Sequence, residues 1–336
     1  MATLKDIAKL SGVSTATVSY VLNNGPRQVK ADKRERVLAA MQELNYRPHA
    51  AARQMKGKST GTIGVVFPHV VAAPLDNAYF APILAGILDT VTEQKTSCML
   101  FTGLDWAEAE SNVAQYTDGR CDGLILIAAR KDSGLMDELR QRGIKFVLIG
   151  THLPGTQSDS VDVDNVLGAE LAVSHLLDLG HARITMIQGS ANSTSNDERT
   201  AGFLAAAAGR AEALLEPGAY QLETALASAR RALDRKVRPT ALFCGNDLIA
   251  QSAYRAAEEM GLDIPEDLSV VGFDDYSFAA GMSPPLTTIR QPLREIGSLA
   301  AQVLMTPIRE PQGEVRNLRL VPDLVIRGST AKPPIR

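Results

Sequence analysis

The chain has 336 residues, of which 45% are apolar and 22% charged, and its formal net charge is −3. This ordinary globular composition excludes a disordered chain, and the length predicts two or three domains rather than a single core. No apolar run approaches the roughly 18 residues that cross a bilayer, and the first residues lack the apolar stretch of a signal peptide. The three cysteines, Cys98, Cys121 and Cys244, are far apart in the chain and form no CxxC pair. We therefore expect a cytoplasmic protein with no membrane partner, no metal and no disulfide.

The charge is divided unevenly along the chain. Residues 1–60 hold 11 basic and four acidic residues, a net charge of +7, whereas residues 61–336 hold 24 basic and 34 acidic residues, a net charge of −10. A small basic head on a large acidic body is typical of a nucleic-acid-binding module joined to a part that does not itself contact phosphate. A merely solvated basic surface is the alternative.

The basic head begins with the pattern of two short helices joined by a turn. Leu4, Ile7 and Ala8 recur at helical spacing, Gly12 interrupts them, and Ser14 offers an N-cap hydroxyl to a second helix over residues 15–23. Each residue advances about 100° around a helix, which sorts the second helix into two faces. The apolar face consists of Thr17, Val18, Val21 and Leu22, and the opposite, uncharged face consists of Thr15, Ala16, Ser19, Tyr20 and Asn23. Such a helix suits the major groove of DNA, where base edges present hydrogen-bonding groups.

A third helix is expected to follow, because Asp32-Lys33-Arg34-Glu35 has the pattern of a capping box ahead of an apolar stripe. The stripe consists of Val37, Leu38, Met41 and Leu44. An ordinary three-helix domain whose polar faces contact only water is the alternative to a DNA-binding head. The charge division favours the DNA-binding head.

Residues 48–56 are expected to form a short helix only when the segment binds a partner. Pro48 suits a first helical position, Ala50 to Ala52 favour helix, and Gly57 suits its end. So short a helix does not hold alone in water, so the segment should fold only against a partner. A flexible linker is the alternative.

Two stretches of the head resemble the opening of the LacI/GalR family of bacterial transcription factors: TLKDIAKLSGVSTATVSYVLN, residues 3–23, and LNYRPHAAAR, residues 44–53. The resemblance implies an all-α helix-turn-helix domain that contacts bases through Thr15, Ala16 and Tyr20, while Ser14, Thr17, Ser19 and Asn23 fix the helix on the phosphates or support it. It also implies that residues 48–56 are the family's hinge helix, which pairs with its two-fold mate in the minor groove and contacts DNA through Ala52, Met55 and Lys56. Met55 takes the position of the side chain that wedges between base pairs, where Leu is usual.

The body, from Thr62 onward, alternates short apolar runs with helix-length segments, which predicts parallel sheets covered by helices on both faces. The expected strands are residues 63–67, 98–101, 124–128, 146–149, 184–188, 241–244 and 269–273. After residues 160–164 the pattern restarts with a helix that ends at Gly180. We therefore expect an α/β body of two similar lobes, each a doubly wound parallel sheet, with a ligand cleft at the carboxyl ends of the strands.

Several segments of the body extend the family resemblance: residues 178–181, 243–247, 270–275 and 285–289. The resemblance implies a periplasmic-binding-protein-like body whose chain crosses three times between the lobes. The expected domains are 1–47 for the helix-turn-helix, 48–60 for the hinge helix and linker, 61–160 with about 290–310 for lobe 1, and 161–289 with about 315–330 for lobe 2.

A small polar ligand between two lobes needs a cation, hydrogen-bond acceptors and an aromatic wall. A guanidinium such as that of Arg199 can bridge two vicinal oxygens, and Asn246 and Asp274 each follow a predicted strand. Taken singly, each candidate also has a structural explanation, as a cap, a surface charge or a core residue. The resemblance implies effector binding at the positions of Tyr79, Phe80, Arg199, Tyr220, Asn246 and Asp274.

The nature of the effector is left open by these residues. Asp274 with Arg199 favours a neutral, hydroxyl-rich effector such as a sugar or sugar derivative. Sugar-binding relatives often have an acid at the end of the fourth strand, where this chain has Gly150-Thr151-His152. A purine or a phosphorylated metabolite remains the alternative.

The expected function is that of a homodimeric transcriptional regulator, a repressor, that binds near-palindromic operator DNA in the bacterial cytoplasm and nucleoid and is controlled by the effector. An enzyme is the rival class, but Gly57-Lys58-Ser59 lacks the first glycine of a phosphate-binding loop, since position 52 is Ala, and no HExxH motif occurs. No catalytic residue and no cofactor is expected. A cytosolic sugar-binding protein without DNA function is the other rival, and the basic head argues against it.

Overall fold

The computed structural model describes residues 2–23, 29–46, 59–67, 77–102, 106–153, 155, 158–306 and 315–334. The chain divides into two compact units, Met1–Thr60 and Gly61–Arg336. Among the described helices, none is long and apolar enough to cross a membrane.

The described part of the head holds three helices, α1 (Leu4–Ser11), α2 (Thr15–Asn23) and α3 (Ala31–Glu43). Thr3 and Asp6 form a capping box at the start of α1, and Gly12 ends this helix in the left-handed conformation, with φ 63°. Ile7, Val18 and Val37, one from each helix, are fully buried against one another in the core of the head. The predicted pair of short helices with a buried seam is therefore confirmed.

Two expectations for α3 are wrong. The helix begins at Ala31 with Lys30 at the N-cap and no side-chain capping bond, so Asp32 lies within the first turn instead of capping it. Leu38 is 48% exposed, and Ala40 is buried in its place. Alanine at position 40 lets α3 approach the other two helices closely. The predicted apolar stripe contained only large residues and therefore did not include Ala40.

The body contains strands and helices that alternate along most of its length. Its first half runs through β1 (Thr62–Val66), α4 (Phe80–Glu93), β2 (Ser97–Phe101), α5 (Trp106–Ser111), α6 (Ala114–Thr117), β3 (Gly123–Ile127), α7 (Leu135–Gln141), β4 (Phe146–Ile149) and β5 (Asp159–Val163). Its second half runs through α8 (Asn165–Asp178), β6 (Arg183–Ile187), α9 (Thr194–Ala207), β7 (Glu212–Glu216), α10 (Leu222–Leu233), β8 (Ala241–Cys244), α11 (Asp247–Glu259), β9 (Ser269–Asp274), a 3₁₀ turn (Ala279–Gly281), β10 (Thr287–Arg290), α12 (Leu293–Met305), β11 (Asn317–Leu320) and β12 (Asp323–Val325).

The strands form two six-stranded sheets, and this confirms the two-lobed α/β body. Lobe 1 has the order β11-β5-β4-β3-β1-β2 and lobe 2 the order β12-β10-β9-β8-β6-β7. The pairs are parallel except that β12 is antiparallel to β10. All seven expected strands are present within one residue of their predicted ends. Except in the edge strand β2, their central segments are buried on both faces, which is why they appear in the sequence as nearly continuous apolar runs.

The chain crosses between the two sheets three times, after β5, after β10 and after β11. The second crossing carries α12 back to lobe 1, where it packs against α4 and over β3, β4 and β5, as expected for residues 291–306. Where the chain passes between lobes, the backbone N–H of Asp164 donates to the carbonyl of Leu320 at 2.8 Å. Two of the three crossings therefore run side by side.

The late strand β11 corrects the expected division of the lobes. Residues from about 315 were expected in lobe 2, but β11 pairs in parallel with β5 in lobe 1, and only β12 joins lobe 2. The first lobe likewise continues to Val163 rather than ending at residue 160. Both sheets have an open edge that accepts a short strand, so the local pattern of β11 does not distinguish between them.

Candidate functional site

The exposed face of α2 carries the residues expected to contact DNA. Thr15 and Ala16 are exposed and Ser19 and Tyr20 are partly buried, whereas Val18 lies in the core. The division into an apolar and an uncharged polar face is therefore present. Asn23 ends the helix, but its side chain lies outside the described residues, as do Ala52, Met55 and Lys56 in the expected hinge segment.

Ser14 and Thr17 cap the N-terminus of α2. The Ser14 hydroxyl accepts a hydrogen bond from the Thr17 backbone N–H at 3.2 Å, and the two hydroxyl oxygens lie 3.0 Å apart. This pair caps the helix whose exposed face carries Thr15 and Ala16. Ser14 is itself exposed, so it presents a hydroxyl beside that face as well.

In the body, Arg199 on α9 is buried and is the centre of a cluster of polar side chains. Its Nε donates to the Asn165 side-chain oxygen at 2.9 Å, its Nη1 donates to the Gly245 carbonyl at 2.5 Å, and its Nη2 lies 3.4 Å from Oδ1 of Asp274. The guanidinium carbon lies 3.6 Å from the centre of the Phe273 ring, a cation–π stack. These described partners engage all three nitrogens of the Arg199 guanidinium, which carries five N–H groups.

Asp274 ends β9 and provides the principal acceptor beside Arg199. Burial raises the pKa of this carboxyl group, and the positive charge of Arg199 opposes the shift. Gln291 donates its side-chain amide to Oδ1 of Asp274, and the Tyr276 hydroxyl bonds to the same carboxyl group. The backbone of Asp274 has φ 113°, a conformation that L side chains rarely adopt, so the local fold holds this residue against strain.

Two predicted site residues are tyrosines, one from each lobe, and each packs against a glycine. Tyr79 precedes α4, and its hydroxyl occupies the space beside Gly150, where an added Cβ would fall 2.5 Å away. Tyr220 lies against Gly189, where an added Cβ would fall 2.6 Å from Cε1 of the ring and closer to Cζ and Oη. Burial raises the pKa of both phenols, and the charges of Arg199 and Asp274 act on each of them.

Phe80 and Asn246 have packing and capping positions. The Phe80 ring is buried in the core, with its centre 5.4 Å from that of Tyr79 in an edge-to-face arrangement. The Asn246 side-chain oxygen accepts from the Ile249 backbone N–H at 2.9 Å and caps α11. Phe80 supports the ring that lines the cleft, and Asn246 fixes the helix that starts at its edge.

Sequence analysis missed four polar residues of the cleft. Asn165 bonds to Arg199, Tyr276 bonds to Asp274, and Asp162 is buried near both Arg199 and Tyr79. Gln291 is also buried, and within the described part of the chain its Oε1 has no hydrogen-bond partner. Each lies within two residues of the carboxyl end of a strand, and that position is the one signal that would have pointed to it.

The arrangement can bind a polar molecule through convergent donors and acceptors. Arg199 offers N–H donors, Asp274 and the Oε1 of Gln291 accept, and the tyrosine rings supply apolar area. Among the described residues there is no group of three His, Cys, Asp or Glu side chains that could hold a metal ion.

A DNA-binding type of head and a two-lobed body with a polar cleft together define a ligand-controlled DNA-binding protein. Residues 3–49 match the description "Bacterial regulatory proteins, lacI family", and residues 173–330 match "Periplasmic binding protein-like domain". The ribose operon repressor of Haemophilus influenzae is 34% identical over 98% of both chains. The chain belongs to the LacI family of bacterial regulatory proteins.

Two solved structures show the same fold over nearly the whole chain. One is a transcriptional regulator CelR–cellobiose complex, 31% identical, with a TM-score of 0.76 and coverage of 98% of this chain and 100% of that chain. The other is the Lac repressor dimer bound to operator and the anti-inducer ONPF, 30% identical, with a TM-score of 0.79 and coverage of 98% and 99%. The chain is accordingly a DNA-binding transcriptional repressor under the control of a small molecule, and it is not an enzyme.

Proposed function

We propose that the chain represses transcription as a homodimer on a near-palindromic operator, and that a neutral sugar or sugar derivative bound between the lobes controls this binding. The observation that carries the proposal is the buried set of Arg199, Asp274 and Gln291. It combines guanidinium N–H donors with carboxylate and amide acceptors, the complement of vicinal hydroxyl groups.

The charges of the cleft favour a neutral effector. Arg199 is offset by Asp274, and Asp162 is a second buried carboxyl group nearby. A phosphate group would place further negative charge beside a cluster in which three carboxyl groups, those of Asp162, Glu198 and Asp274, already exceed the two guanidinium groups of Arg199 and Arg319. At the low effective dielectric of a buried site this repulsion costs several kcal/mol. A sugar meets no such penalty.

Similar proteins support the same class of effector. The relative from Haemophilus influenzae is named for a ribose operon, and the CelR structure contains cellobiose. Neither name identifies the sugar for this chain. We propose that Tyr79, whose hydroxyl lies beside Gly150, limits the space available to the ligand. The alternative of a purine base is an outcome of the binding experiment below.

On the DNA side, we propose that Thr15, Ala16 and Tyr20 contact base edges in the major groove. Two-fold symmetry of a dimer places two copies of α2 one helical turn apart, about 34 Å, which requires inverted half-sites. The Lac repressor structure is a dimer on operator DNA. The expected hinge contacts of Ala52, Met55 and Lys56 in the minor groove belong to the same proposal, as does action in the cytoplasm.

A thermal-shift and calorimetry panel tests the effector class. D-ribose, cellobiose, ribose 5-phosphate and hypoxanthine are added to the unaltered protein, to Arg199→Met and to Arg142→Met, a matched control at an exposed ion pair on α7. We expect a neutral sugar to stabilise the unaltered protein and the control but not Arg199→Met. Stabilisation by hypoxanthine or by the phosphate ester alone would refute the sugar assignment.

Selection from random duplex DNA tests the operator. We expect enrichment of two inverted half-sites separated by about one helical turn, 10–10.5 bp from centre to centre. Enrichment of a single asymmetric site would refute binding as a symmetric dimer. Absence of any enrichment at low salt would refute sequence-specific binding altogether.

A further inference from the structure

The start of α9, just ahead of Arg199, contacts lobe 1 directly. Backbone and hydroxyl contacts run from residues 192–195 of lobe 2 to two loops of lobe 1. They are Lys131 N–H to the Asn192 carbonyl at 3.1 Å, His152 N–H to the Thr194 hydroxyl at 3.1 Å, and the Ser195 hydroxyl to the Gly150 carbonyl at 2.9 Å. Because Arg199 follows within the same helix, its position depends on this contact between lobes.

An ion pair continues this contact one turn further along α9. Arg319, on β11 of lobe 1, donates from Nη2 to Oε1 of Glu198 at 2.6 Å and from Nη1 to Oε2 at 3.1 Å. The two side chains are only 26% and 22% exposed, so water screens the pair less than an ordinary surface ion pair. Two parallel N–H···O bonds fix the relative orientation of the groups as well as their distance.

Asn165 connects this ion pair to the effector cation. Its side-chain nitrogen donates to Oε2 of Glu198 at 3.1 Å, and its side-chain oxygen accepts from Nε of Arg199 at 2.9 Å. One amide therefore bonds on one side to the interlobe ion pair and on the other to the guanidinium in the cleft. A shift of Glu198 changes the hydrogen bond that orients Arg199.

The ion pair also lies beside the crossings of the chain. Nη1 of Arg319 donates to the carbonyl of Val163 at 3.3 Å and lies 3.6 Å from Oδ2 of Asp162. Val163 and Leu320 are the last residues of β5 and β11 before the chain leaves lobe 1. A rotation of one lobe against the other about these segments must alter the bidentate geometry.

We propose that Glu198 and Arg319 form an interlobe latch that fixes the angle between the lobes and thereby positions Arg199. The role rests on the proposed function of the cleft, since the latch matters for regulation if an effector binds there. Glu198 and Arg319 are positioning residues: they act on the ligand site through Asn165 and through closure of the lobes.

Amide hydrogen exchange on the full-length protein without ligand tests the latch. The N–H groups of Lys131 and His152 belong to lobe 1 and their acceptors to lobe 2, so their exchange reports separation of the lobes. We expect Glu198→Gln and Arg319→Gln each to accelerate exchange at both amides about tenfold, because each substitution removes a charge-assisted bidentate pair.

Three comparisons make the result specific. Exchange at the two amides in the double variant should not exceed that in the more strongly affected single variant, because both substitutions remove the same interaction. Arg319→Lys, which keeps the charge and loses the fork, should lie between the unaltered protein and Arg319→Gln. Glu138→Gln, which removes an ion pair with Arg142 within α7, should leave both amides unchanged.

Unchanged exchange at Lys131 and His152 in Glu198→Gln would overturn the latch. So would equal acceleration in β3 and β9, since that pattern means general destabilisation rather than separation of the lobes. The measurement uses neither sugar nor DNA. A failure of the binding panel therefore refutes the proposed effector class without affecting the exchange result, and the reverse also holds.

Discussion

Gly189→Ala is the most specific perturbation of the effector cleft that the structure offers. The backbone at Gly189 has a conformation that alanine adopts without strain, so the substitution acts only through the added methyl group. That group would fall 2.6 Å from Cε1 of Tyr220 and nearer to Cζ and Oη, whereas ordinary contact between carbon atoms is about 3.5–4.0 Å. The ring must therefore retreat by about 1 Å or more.

The expected losses of stability and of sugar affinity depend on where the Tyr220 ring can move. Tyr220 is only partly buried, so we expect the ring to move toward the proposed ligand site instead of compressing the core. We expect a loss of stability at the low end for overpacking, about 1 kcal/mol, or about 2–4 °C in Tm. Sugar affinity should fall at least about tenfold, because the displaced ring occupies space that the ligand needs.

Calorimetry with the sugar that stabilises the unaltered protein measures the affinity, and thermal unfolding measures the stability. Gly281→Ala is the matched control, since an added Cβ there meets no atom within 4 Å. The control should retain both properties. If Gly189→Ala bound the sugar as tightly as the control does, Tyr220 would not line the ligand site and the assignment of that wall would be refuted.

Three further outcomes are expected. Tyr20→Ala should change base preference at one position of each operator half-site, as a selection experiment measures; a uniform loss over all sequences would assign Tyr20 to phosphate contact or packing. Operator affinity should fall steeply with salt in a titration from 50 to about 200 mM, and a flat dependence would contradict phosphate neutralisation by the basic head. Burial raises the pKa of Asp162 from 3.8 to about 6. Between these two pH values the folded protein keeps a proton that the unfolded chain loses. The contribution of Asp162 to the free energy of unfolding therefore decreases as pH rises through 6. The Tm of Asp162→Asn relative to the unaltered protein should therefore increase between pH 4.5 and 7.5, and a difference independent of pH would show that Asp162 does not titrate in this range.

The sequence predicted the strands of the body well because most of them are central strands. Gly123–Ile127 and Phe146–Ile149 are buried on both faces, and a continuous apolar run is the direct consequence of such burial. The edge strand β11 is only partly buried and was assigned to the other lobe. Edge strands lack a distinctive pattern, and their partner is decided by contacts far away in the chain.

The candidate site shows the same contrast between local and long-range information. Arg199 and Asp274 were predicted, and the structure brings them together as a buried ion pair. Phe80 was predicted beside Tyr79 for its aromatic character, but adjacent residues at the start of a helix point in different directions, and the structure places Phe80 in the core. Asn165 was missed because its importance comes from partners on α9, more than 30 residues away in sequence.

The central claim is that a small molecule held by Arg199 controls binding of the head to DNA. Fluorescence anisotropy of the selected operator, with and without the stabilising sugar, tests it in the unaltered protein and in Arg199→Met. We expect the sugar to change the operator Kd of the unaltered protein by about 5–150-fold, the range of ordinary allosteric coupling, and to leave that of Arg199→Met unchanged. Equal responses of the two proteins, or no response of the unaltered protein to a sugar that binds it, would contradict the claim.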